Sequence, residues 1–538
     1  MNQMLSKIGQ LNEIGIALSA ASDVNVLCDK ILTGAMELTN ADGGSLYQIS
    51  EDKDSLEFVI VTTHSLDIHM GGCSGQEINF PPIPLMVNGK PNKSNVVSSA
   101  VHDESTINIP DAYHAEGFDF SGTRKFDQQT GYRTKSILTV PLKNHHNDII
   151  GVLQLINAKD DESGGTREFA LSDQQLAESL ASQAAVAITN NRLIEEQREL
   201  FEAFIRLMAS AIDEKSPYTG GHCKRVPELT MMIADACHRS DSGALKEFNM
   251  TEKDRYELTI AGWLHDCGKV TTPEYVVDKA TKLETIYDRV NTVDTRFEVL
   301  KRDATIQTLQ EKIDRLTKDS ISDCSDLDES LQKKHAQLDD DREFIRKSNI
   351  GGEFMDEKLQ QRVRDIAEYR WTDPHGVNAK FFNDNEIENL TIAKGTLTQD
   401  EREVINNHMA VTIKMLEQLP FPKHLVNVPE YAGGHHERMD GKGYPKGLTR
   451  EQMSLQARMM GVADIFEALS ASDRPYKTGK PLTECLRILG FMKKDNHVDP
   501  DIFDVFVRDK VYMRYAEEFL PKNQIDEVDH AEIPGYEG

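Results

Sequence analysis

The sequence predicts a multidomain chain: an α+β domain, with an antiparallel sheet flanked by helices, followed by an all-α domain that carries a coiled-coil-like helical insertion. Three observations predict it. At 538 residues the chain exceeds what one hydrophobic core can serve. Short runs with the period-2 alternation of strands lie only in the first part of the chain, ending near Ala158. From Leu171 onward, apolar residues recur at helical spacing almost to the end.

Residues 1–40 read as helical, with Leu11, Ile14, Ala17 and Leu18 and later Leu27, Ile31 and Met36 at steps that keep one face apolar. Four strands follow: SLYQI (45–49), LEFVIV (56–61), ILTVPLK (137–143) and IIGVLQLINA (149–158). The polar stretch between the second and third reads as loops and small helices able to line a pocket. Residues 171–212 read as one helix without proline or glycine, joining two domains, with Leu176, Leu180, Ile188, Ile194, Phe201 and Met208 as its apolar stripe. Such a helix, and the charged helical hairpin expected within an insertion at about 285–395, predict a homodimer through helical segments. The residues after Pro521 read as a loosely ordered acidic tail, 521–538.

Bulk properties exclude several function classes. A formal net charge of −28 argues against broad binding to nucleic acid or to an anionic membrane surface. It leaves room for one anionic small molecule, because metal ions or a few arginines can invert the field at a site. The seven cysteines form no CxxC pair, which suits reduced thiols and a cytoplasmic location. No signal peptide or membrane span is expected, since no run of 18 apolar residues occurs.

Five stretches of the second half supply ligand-type side chains: YTGGHCKRV (His222), LHDCGK (His265, Asp266, Lys269), INNHMAV (His408), HHERMDGKGYP (His435, His436) and VADIFEAL (Asp464). A lone helical histidine is more often packed than ligating, and a lone His-Asp pair is common. Asp464 is the odd one, since Val462, Ile465, Phe466 and Leu469 predict a buried face, where an unpaired carboxylate costs several kcal/mol. Taken together, imidazoles and carboxylates form the ligand set of Fe, Mn, Zn or Ni rather than Ca. Five histidines and two aspartates exceed what one tetrahedral ion uses; they fit two ions about 3.5–4 Å apart, bridged by a carboxylate. Asp266 is the expected bridge, and Lys269 is expected on the helical face of His265, four residues on.

These residues resemble the HD phosphohydrolase superfamily, and His435, His436, Glu437, Asp440, Gly441, Gly443, Tyr444 and Pro445 match every fixed position of the HHExxDGxGYP element of its HD-GYP subfamily. DRPYK at 473–477 fits the same pattern, and the resemblance covers about residues 200–520. It implies hydrolysis of cyclic di-GMP to pGpG and often on to GMP, with His265, Asp266 and Lys269 catalytic. It implies two divalent ions, Fe or Mn with Ni or Mg as the other candidates, on His222, His265, Asp266, His408, His435, His436 and Asp464. Tyr444, Arg474 and Lys477 would hold the dinucleotide. Members with a third ion carry a glutamate four residues before the first histidine; Tyr218 stands there, so two ions are expected. The separation of Lys269 from His408 far exceeds that of compact members, and the helical insertion accounts for it.

The front part, about residues 1–190, resembles a GAF sensor domain, with GVLQLINA and a long exit helix as its closing pattern. Lys125, Phe126 and Asp127 match part of the NKFDE-type element of cyclic-nucleotide-binding GAF domains, while Arg124 and Gln128 depart from it. The resemblance implies an unidentified small-molecule ligand. The functional reading is a metal-dependent phosphodiesterase under GAF control. Its alternatives are a hydrolase of another cyclic dinucleotide such as cyclic GMP-AMP, a catalytically silent binding module, and a scaffold that holds no metal.

Overall fold

Asp23 starts the first buried helix of the chain: its carboxylate accepts from the backbone N–H groups of Asn25 and Val26, at 2.7 and 3.0 Å, satisfying donors that a helix start leaves unpaired. In the computed structural model, which describes residues 2–537 apart from 22, 161, 216–220, 242, 320–322, 353 and 472–478, this helix is α2 (Val24–Thr39), preceded by α1 (Asn2–Ser19). The chain divides into two units, Met1–Phe201 and Glu202–Gly538.

The first unit is built on an antiparallel sheet. Its strands lie in the spatial order Ile68–Gly71, Ser55–Thr63, Ala41–Ile49, Ile149–Lys159, Ile137–Lys143, Ile107–Ile109. The four strands read from the sequence are all present. One face is covered by α2 and by the first turns of α5 (Leu171–Asp213), so that Leu27, Ile31, Leu46, Leu138, Leu153, Leu155 and Leu180 form one core. Each such side chain contributes about 1.5–3 kcal/mol when fully buried. Ala177, Ala181, Ala184 and Ala185 present almost no side chain, which lets α5 lie close on the sheet. The other face carries α3 (Val96–His102), with Val97 packed among Tyr47, Leu56, Leu85 and Val152. Helix α4 (Ser121–Thr130) follows in the connection to the sheet's last long strands.

The stripe expected along α5 is buried only where the helix lies on the sheet. Leu176 and Leu180 are buried, whereas Ile194 is 64% exposed. The exposed large apolar residues of its second half are Leu193, Ile194, Leu200, Phe204, Leu207 and Met208, of which Leu193, Leu200 and Leu207 are spaced by seven. A seven-residue step returns to nearly the same side of a helix, so Leu193, Leu200 and Leu207 share one side.

The second unit is helical. Helices α6 (His222–His238) and α7 (Glu252–Leu264) pack together; α7 opens with a reciprocal cap between Thr251 and Asp254. After α8 (Glu274–Val277) come α9 (Val290–Asp314), α10 (Ser325–Ile350) and α11 (Glu357–Ala367), a two-stranded ribbon (Arg370–Thr372 with Asn378–Lys380) and α12 (Asp384–Leu390). The hairpin of α9 and α10 is laced by Lys301–Asp339, Arg342–Glu298 and Arg346–Asp294 pairs. At its base Phe297, Leu338, Ile345, Val363, Phe381 and Phe382 form a separate hydrophobic core. The insertion is therefore a small folded body rather than a bare coil.

The chain then returns through α13 (Gln399–Glu417), α14 (Val428–Gly433), α15 (Leu455–Ser470), α16 (Leu482–Lys494), α17 (Pro500–Arg508) and α18 (Val511–Phe519). Helix α15 packs against α6, α14 and α16, with Phe466 on Phe506 and Tyr515. The residues after Pro521 are not a loose tail. The buried Gln524 amide donates to the carbonyls of Ser470 and Lys480, Tyr512 bonds His530, and Ile533 is buried. An acidic composition did not reveal these anchors, which depend on a few uncharged groups. Among the described residues no helix is long and apolar enough to cross a membrane.

Candidate metal centre

Each ligand-type residue sits at a helix end or on a helix face directed inward. His265 closes α7, where the helix gives way to a 3-10 turn over Cys267–Thr271. That turn, not a continuing α-helix, brings the Lys269 ammonium to 2.5 Å from Asp266 Oδ2. The expectation that Lys269 shares a helical face with His265 is thus corrected: the helix stops at the His-Asp pair. Two features hold the turn. Gly268 donates its N–H to Thr412 Oγ1 of α13 at 2.9 Å, and Lys215 Nζ donates to the carbonyls of Lys269, Val270 and Thr272 at 2.6–3.1 Å. Asp213, at the end of α5, accepts from the N–H groups of Gly221 and Cys223 at the start of α6.

The structure brings His222, His265, Asp266, His408, His435, His436 and Asp464 together. Two groups of potential ligand atoms form, each with its atoms within 4.8 Å of one another: His222, His265 and Asp266, and Asp266, His408, His435 and His436. Asp266 belongs to both. His222 Nε2 lies 3.2 Å from Asp266 Oδ2 and 3.3 Å from Asp464 Oδ1; His265 Nε2 lies 3.3 Å from Asp266 Oδ2; His408 Nε2 lies 3.4 Å from Asp266 Oδ1. His436 is more distant, with Nδ1 4.0 Å from Asp464 Oδ2. All seven are buried except His436, which is partly exposed.

The imidazoles are oriented. Nδ1 of His265, His408 and His435 each meets the carbonyl three residues earlier, of Gly262, Ile405 and Ala432. A carbonyl can only accept, so Nδ1 carries the proton and Nε2 offers a lone pair to the centre. His222 Nδ1 instead lies 2.6 Å from Glu467 Oε2. Asp266 Oδ1, His408 Nε2 and His435 Nε2 are buried with no hydrogen-bond partner among the described residues. Each unsatisfied group costs about 1–3 kcal/mol. A cation in the second cluster satisfies all three together, so the residues fit a metal.

Electrostatics point the same way. Burial alone would raise the Asp266 carboxyl, but Lys269 and His265 hold it well below the carboxylate range. Burial likewise opposes charge on Asp464, and its bond to His222 with the nearby imidazoles holds it far below that range. Burial pushes His435 well below the ordinary imidazole value, helped by His436 and His265, and brings His436 down to about 4 against the pull of Asp464. Both are neutral ligands at neutral pH. His222 alone goes the other way: burial would lower it, but Glu467, Asp266 and Asp464 raise it well above 6.5.

A cavity of about 210 Å³ opens over the centre, lined by His222, Arg225, Lys269, His408, His436 and Tyr444 among others. Tyr444 stacks on His436, ring centroids 4.9 Å apart at 27°. Its loop is held by Glu437, whose carboxylate accepts from the N–H groups of Lys446 and Leu448 at 2.7 and 2.9 Å, and by the Arg438–Asp440 pair. Gly441 adopts a left-handed φ of 74°, and a Cβ on Gly443 would lie 2.4 Å from Glu437 Cα, so no other residue fits there. Arg474 and Lys477 lie outside the described residues. Sequence reasoning missed Glu467, Gly268 and Lys215, and named Glu437 as a motif position without its loop-holding role. Glu467 carried a usable signal, three residues after Asp464 on the same helical face; Lys215 carried none.

In the first unit, Lys125, Phe126 and Asp127 fall on α4 and do not converge. Lys125 is exposed and Phe126 half-buried, while the buried Asp127 carboxylate accepts from Tyr113 Oη and from the N–H and hydroxyl of Thr134 at 2.8–2.9 Å.

Comparison with known proteins agrees with this division. The GAF domain family matches residues 23–188, and an HD domain family matches residues 380–502. The HD match starts after the hairpin of α9 and α10, so His222, His265, Asp266 and Lys269 lie outside it and join it only in the fold. A cyclic di-GMP phosphodiesterase of Pseudomonas aeruginosa is 40% identical over 114 residues, 21% of this chain and 26% of that protein. The 3'3'-cGAMP-specific phosphodiesterase 3 of Vibrio cholerae is 39% identical over 111 residues, 20% of this chain and 23% of that one. A cyclic di-GMP phosphodiesterase of Thermotoga maritima is 32% identical over 119 residues, 22% and 32% of the two chains. The chain thus spans between 23% and 32% of the length of these curated relatives. A solved GAF domain of a phosphoenolpyruvate-protein phosphotransferase from Coxiella burnetii is 14% identical, covering 36% of this chain and 98% of that one at a TM-score of 0.28. By its two family matches, the chain joins a GAF domain at residues 23–188 to an HD domain whose match spans residues 380–502.

Proposed function

We propose that the helical unit is a metal-dependent phosphodiesterase that hydrolyses cyclic di-GMP to pGpG and on to GMP. The observation that supports it most is a pair of ligand clusters sharing Asp266 beneath a cavity that also presents Lys269, Arg225 and Tyr444. One ion would be held by His222, His265 and Asp266 and the other by Asp266, His408, His435 and His436, with Asp464 beside them. Divalent ions, Fe or Mn by ligand type with Ni or Mg also admitted, would supply Lewis-acid activation of water and charge neutralisation at phosphorus. The chain's own residues do the rest. Lys269 keeps its ammonium beside Asp266, where burial is outweighed by Asp266 and Asp464 and its proton is held tightly. Tyr444 offers a ring face to a guanine, and Arg474 and Lys477 are assigned the phosphates.

A second substrate, cyclic GMP-AMP, is favoured by the near-equal identity to the Vibrio cholerae relative. Purified protein loaded with Mn or Fe under reducing conditions, assayed with both dinucleotides, decides between them. Failure to turn over either one while a dinucleotide still binds would leave a silent binding module. Failure to retain any metal would leave a scaffold.

We assign residues 1–190 to sensing a small-molecule ligand, 200–520 to hydrolysis, with the insertion at 285–395, and 171–212 to the connection. Support for that connection is the way Asp213 and Lys215 grip the start of α6 and the His-Asp turn. Leu193, Leu200 and Leu207 favour a homodimer along this helix. The seven unpaired cysteines suit the cytoplasm.

A further inference from the structure

The orienting partners of the imidazoles are not alike. His265, His408 and His435 rest on backbone carbonyls of their own helices, which are neutral and fixed. His222 rests on a side chain, Glu467, at 2.6 Å. Glu467 is 1% exposed, and its second oxygen is taken by Arg225, with Nε at 2.8 Å and the terminal nitrogen at 2.6 Å. Helix α6 therefore supplies His222 and Arg225 one turn apart, and α15 answers with Asp464 and Glu467 one turn apart.

We propose that the Glu467–Arg225 pair is a positioning device for one of the two metal subsites, that of His222, His265 and Asp266, and that it makes the two subsites unequal. The inference rests on the metal-dependent reading above. A carboxylate behind an imidazole fixes its tautomer and ring plane and raises its basicity as a ligand. Arg225 in turn neutralises Glu467, so that the buried carboxylate is not left with the imidazole as its one partner. The second subsite draws its imidazoles from α13 and the end of α14, whose orientation owes nothing to Glu467. Loss of the pair is thus felt at one ion and not at the other.

The test uses the full chain stripped of metal and titrated with Mn²⁺ by equilibrium dialysis. Wild type is expected to bind two ions. Glu467→Gln is expected to lose about 10- to 100-fold in affinity for one ion and to keep the other at wild-type affinity. His222→Ala with Glu467→Gln is expected to bind no more weakly than His222→Ala alone, because Glu467 acts through His222. Calorimetry of the metal-free variants reports folding independently. Should Glu467→Gln not fold, Arg225→Lys, which keeps a cation beside Glu467, is expected to weaken the same single ion by a smaller factor. Equal loss of both ions, no loss of either, or an additive double variant would each overturn the inference. A wild type that binds no ion at all would instead overturn the proposed function, and the inference with it.

Discussion

Replacing Gly268 by alanine puts a methyl group where the backbone of α13 already stands. A Cβ there would lie 2.0 Å from the His408 carbonyl oxygen and 2.6 Å from both the nitrogen and the hydroxyl oxygen of Thr412. The nearest of these is backbone and cannot rotate away, so α13 must retreat from the His-Asp turn by about 1 Å or more before the contact becomes ordinary. The 3.4 Å separation of His408 Nε2 from Asp266 Oδ1 opens with it, and the Gly268 N–H to Thr412 bond is stretched. Overpacking of this kind costs about 1–3 kcal/mol, and the lost hydrogen bond adds about 1 kcal/mol. A displacement of about 1 Å at a reacting centre lowers turnover roughly 10²-fold. Denaturant unfolding of metal-free protein measures the first effect; metal titration and dinucleotide turnover measure the second. A Gly268→Ala variant as stable as wild type, with unaltered metal affinity and turnover, would refute the close-approach argument.

Asp266→Ala removes the one ligand common to both clusters and is expected to abolish retention of both ions and all turnover, checked by metal analysis of purified protein; full turnover would sink the two-metal assignment. Glu437→Ala frees the N–H groups of Lys446 and Leu448 and slackens the Tyr444 loop, so KM for the dinucleotide should rise about tenfold or more while metal content stays at wild-type level. Metal uptake should release protons. His436 is brought down to about 4 and burial holds His435 well below the ordinary imidazole value, but His222 holds its proton well above 6.5, and a ligand must shed it. Apparent affinity for the His222 site therefore rises with pH through the neutral range, with about one proton released as that site fills, measurable by titration calorimetry in two buffers of different ionisation enthalpy; zero release would contradict the assignment of His222. Lys215→Ala unties three carbonyls after Lys269 and is expected to lower metal affinity with little change in unfolding free energy, since the side chain is only partly buried.

The sequence by itself determined the strand and helix elements and the set of ligand-type residues. Strand alternation and helical spacing are local patterns, and residue type is printed in the chain, so the long strands, α5 and the seven metal-ligand candidates were legible. The phase of the HHExxDGxGYP loop was legible too, because glycine takes the left-handed φ at Gly441 without strain and only glycine fits the contact at Gly443. Tertiary structure alone decided how those residues act. The partner of His222 lies 245 positions away, and no local pattern encodes such a pairing. The end of α7 at the His-Asp pair, and so the path of Lys269, depends on Lys215 and on α13 packing against Gly268. The anchoring of the acidic C-terminal residues depends on Gln524 and Ile533 meeting surfaces assembled from other helices. In each case the deciding energy is a contact between distant segments, which exists only once the helices have packed.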